Sequence, residues 1–141
     1  MDLATFRANV QALRALDLSA YPKIDAMKVR VYNPYKSQDT EIPTPDPATW
    51  DFSKIRVTVT LIIRFSKAQQ AARQGVASIE KHIVFFGDES LASMTANVQT
   101  VAGMGQKLID STTSSTAIGD TEDAAINAVD RGRKVVDTEN D

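Results

Sequence analysis

Between Lys54 and Phe65 the chain alternates with a period of two. Ile55, Val57, Val59, Leu61, Ile63 and Phe65 form one set, and Lys54, Arg56, Thr58, Thr60, Ile62 and Arg64 the other. The first set is wholly apolar, while the second is mostly hydroxyl and cation. Such a stretch predicts a strand with one face on a core and the other face displayed. Burying the six apolar side chains contributes roughly 10 kcal/mol before entropy is subtracted, at about 1.5–3 kcal/mol each.

Other patterns place the neighbours of this strand. Leu3, Phe6, Val10, Leu13 and Leu16 recur at three- and four-residue steps, which predicts an amphipathic helix over 2–16 with Asp2 as its cap and Pro22 closing the region. Residues 28–32 alternate like a strand, with Val29 and Val31 on one side and Lys28, Arg30 and Tyr32 on the other. The segment 33–52, NPYKSQDTEIPTPDPATWDF, holds four of the five prolines. Proline removes ladder donors and keeps the backbone extended, so this is a long loop or an arm. Ile42, Trp50 and Phe52 are its apolar anchors, to be docked on the parent fold or on a neighbour.

Further along, SKAQQAARQG predicts a short helical turn between a Ser66 cap and Gly75. A third strand follows around 76–86, where Ile79, Ile83 and Phe85 compete with Val84 and Phe86 for the core. After a turn at Gly87-Asp88, a helix is expected over 89–102 or longer, with Leu91, Met94, Val98, Val101 and Leu108 on one face. Gly103 and Gly105 either weaken it or let a second helix approach closely. STTSSTAIGD, residues 111–120, has the composition of a flexible linker. Residues 121–136 predict a weak tail helix with Ile126 and Val129 on one face, and the last few residues are expected to be disordered.

The expected fold is therefore α+β, in the order α-β-β-β-α plus the tail helix. An antiparallel sheet of three strands, or more if a neighbour completes it, is packed on one face by the N-terminal helix and the long C-terminal helix. Residues 1–110 form one domain carrying the Pro-rich arm or loop at 33–52, and 111–141 form a linker and acidic tail.

Composition narrows the chemistry. The 141 residues suit one domain with a core of its own. Cysteine is absent, which removes disulfides, thiolate nucleophiles and the usual structural zinc sites. His82 is the single histidine, so a multi-histidine metal site is excluded. The net charge of −2 conceals a basic middle, Lys23–Lys81, with ten Lys/Arg against six Asp/Glu. It also conceals an acidic tail, Asp120–Asp141, with three Lys/Arg against seven Asp/Glu. The N-terminal residues lack the basic leader and apolar run of a signal peptide, and no apolar stretch has membrane-spanning length. No membrane association is expected; the expected location is cytoplasmic, within a host, or an assembled particle.

Candidate catalysis is sparse. Glu80 and His82 share a strand face and could act as a general acid/base pair, although a solvent-facing surface pair has the same signature. Asp88-Glu89 suits a helix N-terminus, Gly103-Met104-Gly105 is too short for a phosphate loop, and DTEDA at 120–124 lacks the spacing of a calcium loop. No catalytic residue, metal or cofactor is expected.

The displayed basic face is the stronger signal. Lys28, Arg30, Tyr32, Lys54, Arg56 and Arg64 could meet phosphates through their cations and a base through the ring. The same face could also be solvated, or covered by another subunit. The order α-β-β-β-α resembles the double-stranded-RNA-binding domain in topology. That family opens its second helix with a cluster of lysines, and here Asp88-Glu89-Ser90-Leu91-Ala92-Ser93 stands in that place. Two long strands leading into an amphipathic helix also look like the coat proteins of small RNA phages, which bind genomic RNA on a sheet face; the early helix departs from them. Neck and tail-terminator subunits of tailed phages have a similar order.

The expected function is a non-enzymatic, self-assembling structural subunit of a virus or bacteriophage particle, such as a coat, neck or tail protein. Ile42, Trp50, Phe52, Met94, Val98 and Val101 are its expected oligomer interface, and its partners are itself, viral nucleic acid or neighbouring virion proteins. The alternative is a nucleic-acid-binding module using the basic sheet face.

Overall fold

The computed structural model of the chain describes residues 1–37, 39–72, 75, 77–110 and 134–139. Helix α1 spans Leu3–Arg14 and is capped by Asp2, whose carboxylate accepts from Thr5 N at 2.7 Å. Strands β1 (Ile24–Tyr32), β2 (Arg56–Arg64) and β3 (Ser78–Phe86) form an antiparallel meander, and helix α3 runs from Leu91 to Asp110. Between β2 and β3 a short helix α2, Lys67–Ala72, has a reciprocal cap. Ser66 Oγ accepts from Gln69 N at 3.1 Å, and Gln69 Oε1 accepts from Ser66 N at 2.9 Å. This is the α+β order read from the sequence.

Alternation along β2 does what its pattern dictates. Ile55, Val57, Val59, Leu61, Ile63 and Phe65 are all buried, none more than 1% exposed. Beneath them lie Phe6, Val10 and Leu13 of α1 and Met94, Val98 and Ala102 of α3, joined by Met27, Val29 and Val31 of β1. Both long helices thus cover one face of the sheet. On β3 the contest for the core goes to Phe85, with Ile79 and Ile83 half-buried beside it, whereas Val84 and Phe86 point outward.

The structure decides three points that the pattern left open or misplaced. The glycines of α3 do not break it, and the close approach that Gly105 permits is to the sheet, where it is buried against Ile63 and Ile24. The Pro-rich segment is a loop docked on its own domain rather than a reaching arm. Tyr35 stacks on Trp50 at 5.5 Å and 5°, Trp50 meets Phe52 at 6.0 Å, and Phe52 meets Phe6 at 5.6 Å. Trp50 Nε1 donates to Pro45 O at 3.0 Å, and Tyr35 Oη accepts from Asp51 N at 2.9 Å.

The third point, a correction, concerns the tail. Residues 134–136, expected to end a helix, instead begin strand β4, Lys134–Glu139, which pairs parallel with β1 from Ala26↔Lys134 to Val31↔Glu139. The sheet therefore has four strands, in the order β3-β2-β1-β4, and the fourth comes from the chain's own tail. The expected linker at 111–120 and the rest of the tail helix, 121–133, lie outside the described residues.

Candidate interface on the uncovered sheet face

Directly opposed residues in a sheet share a face, so the strand registers define rows across the side away from the helices. Phe86, Arg56 and Tyr32 form the first row, and Val84, Thr58 and Arg30 the second. His82, Thr60 and Lys28 form the third, and Glu80, Ile62 and Ala26 the fourth.

The first two rows carry exposed apolar surface. Tyr32 is 62% exposed, Val84 62% and Phe86 56%. Arg56 sits between the two rings and lies 4.5 Å over the Phe86 centroid, a cation–π contact. Its Nη1 also donates to the carbonyls of Ser53 at 2.6 Å and Ile55 at 3.2 Å. The guanidinium is thereby held by the turn that leads into β2 and by a ring, and it acts as a strut for the row.

The third and fourth rows hold a polar chain. Thr60 Oγ1 lies 2.9 Å from His82 Nδ1, and His82 Nε2 lies 3.4 Å from Glu80 Oε2. The arrangement suits the tautomer in which Thr60 donates to Nδ1 and the Nε2 proton faces the carboxylate. The hydroxyl, imidazole and carboxylate are in sequence, but the imidazole and carboxylate are about half exposed and stand on an open ladder face. Thr60 itself is 6% exposed. This geometry suits a surface network better than an activated nucleophile, whose base must be held away from water beside oxyanion donors.

Of the six residues expected on a basic face, five are where the alternation puts them. Lys28 and Arg30 have no side-chain partner among the described residues, and Tyr32 ends the first row. Arg56 is engaged as above, and Arg64 lies 4.0 Å from Asp25. Lys54 is off the sheet, in a 3-10 turn over Phe52–Lys54 that precedes β2.

The expected oligomer residues fare differently. Trp50, Phe52, Met94 and Val98 are buried in this chain's own core and Val101 packs against it, so their apolar surface is already covered. Only Ile42, 55% exposed on the loop, remains displayed. Val84 and Phe86 were not singled out as surface residues, because a strand of mixed alternation does not say which set faces out.

Among the described residues no helix is long and apolar enough to cross a membrane. Comparison with known proteins adds no identity: no family model matches the chain, and neither a curated protein nor a solved structure matches it significantly.

Proposed function

We propose that this protein is a non-enzymatic structural subunit that assembles with copies of itself. The observation that carries this is the sheet face away from the helices, where Tyr32, Val84 and Phe86 gather exposed apolar surface at one end. Exposed apolar groups with polar neighbours are a common mark of protein contact surfaces. The likeness of the order read from the sequence to that of neck and tail subunits makes a virus or phage particle the setting we propose. Size-exclusion chromatography with light scattering tests the reading. The native chain should associate at high micromolar concentration, and Val84→Asp with Phe86→Ser should shift it toward monomer while its circular dichroism is unchanged. A native chain that stays monomeric at that concentration removes the proposal.

A second reading is favoured by one observation: Lys28, Arg30 and Tyr32 stand together on the same face, the two cations without side-chain partners among the described residues. On this reading a single-stranded nucleic acid stacks on Tyr32 and places phosphates at Lys28 and Arg30. Lys28→Ala with Arg30→Ala should weaken RNA binding and flatten its dependence on log salt by about 1.4. Binding unaffected by the pair removes this reading.

A further inference from the structure

We infer that β3 pairs antiparallel with β3 of a second copy, across a two-fold axis at Lys81. The inference rests on the proposed self-association and names one contact that would carry it.

Strand β3 is the last in the sheet order, so its outer edge has no partner strand among the described residues. Edge strands are usually blunted by proline, bulges, short length or charge. Here SIEKHIVFF has neither proline nor glycine, runs for nine residues, and pairs with β2 in unbroken register from Arg64↔Ser78 to Arg56↔Phe86. Among the described residues the result is a long, regular edge, with the charges of Glu80 and Lys81 at its centre.

Pairing two copies of this edge in one continuous sheet keeps opposed residues on the same face, which allows only a few registers. With Lys81 on the axis, Glu80 of each copy faces His82 of the other on the open side, and Ile79 faces Ile83 on the helix side. Glu80 and His82 already approach each other within one chain at 3.4 Å. The axis would bring two such pairs together, with carboxylates and imidazoles alternating. Moving the axis to His82 sets Glu80 against Val84 and Lys81 against Ile83. Moving it to Glu80 opposes two carboxylates, and moving it to Ile83 sets Glu80 and Lys81 against Phe86 and Phe85. Complementarity therefore selects Lys81. Its own two-fold mate is a like charge, but Lys81 is exposed and its long stem lets the two ammonium groups part into water. A contact of this kind is isologous and closes on itself, giving a dimer as the building unit.

The chain has no cysteine, so Lys81→Cys introduces a single thiol. Opposed Cβ atoms in an antiparallel pair lie about 4.5–5.5 Å apart, within reach of a disulfide after a small shift. Under mild oxidation Lys81→Cys should form a covalent dimer at least tenfold faster than Val84→Cys or Arg30→Cys, which are exposed on the open face away from the axis. Equal rates for the three, in a chain that light scattering shows to associate, would overturn the β3 pairing and leave the proposed function standing. A native chain that is monomeric by scattering would overturn both.

Discussion

Gly105 of α3 lies directly against Ile63 of β2: a Cβ on Gly105 would stand 2.6 Å from Ile63 Cδ1 and 3.3 Å from its Cγ1. Helix propensity favours Ala over Gly by about 1 kcal/mol, while overpacking a closed core costs about 1–3 kcal/mol. Ile63 is fully buried and has little room to turn away. Gly105→Ala should therefore destabilise by about 1 kcal/mol. Ile63→Val alone should cost about 0.5–1.5 kcal/mol, but in that background Gly105→Ala should become neutral or stabilising. Urea denaturation of the four proteins measures the coupling, and strictly additive effects would contradict the contact.

The docked loop depends on Trp50. Its ring is 7% exposed between Tyr35 and Phe52, so Trp50→Ala should cost about 3–5 kcal/mol. Tyr35→Phe keeps the stack and loses only the hydrogen bond from Asp51 N, which should cost about 0.5–1 kcal/mol. Thermal melts of both variants separate stacking from hydrogen bonding. A loss no larger for Trp50→Ala than for Tyr35→Phe would mean that the loop is not anchored by its indole.

Strand β4 adds a backbone ladder to the edge of β1, and among the residues whose burial is described the core runs from Phe6 to Ala102. Removing residues 134–141 should leave a folded domain with the near-ultraviolet spectrum of the full chain. Hydrogen exchange should accelerate at the amides of β1 that point toward β4 and stay unchanged in β2. Protection of β1 that survives the truncation would show that β4 contributes nothing to it.

Acid should weaken two caps. The Thr5 N–H, helped by the Thr5 hydroxyl, holds the Asp2 carboxyl below its ordinary 3.8, and the Ser53 hydroxyl and N–H do the same for Asp51. A carboxyl with a lowered folded value stabilises the fold above its unfolded value. That stabilisation fades as pH falls through the folded value. Stability should accordingly decline on acidification below about 4. Asp2→Asn keeps a capping oxygen without the titration, so it should leave stability near neutral pH and flatten part of the acid slope. An unchanged slope in chemical denaturation at pH 2–5 would show that the cap does not contribute there.

The local rules were legible wherever one face is buried and one is not. In β2 the period of two named every inward residue, because a one-residue slip would bury arginine. In α1 the three- and four-residue steps with Asp2 before them set both the buried face and the start. The loop was legible only by half: four prolines announced irregular backbone, but not that Trp50 would find Tyr35 and Phe52 of its own chain. The open face was legible on β1 and β2, where cations alternate with valines. It was hidden on β3, where Val84 and Phe86 are as apolar as the residues that turn inward.

Alternation, helical spacing and capping chemistry, all properties of neighbours in the chain, determined the antiparallel meander, its helices and the face of β2 that is buried. Partners distant in the chain decided the rest. Lys134–Glu139 is extended because β1 offers it a ladder of hydrogen bonds, and six residues with three charges carry no such instruction themselves. Likewise Gly105 serves the sheet and not a second helix, because the space around a missing side chain belongs to whatever packs there.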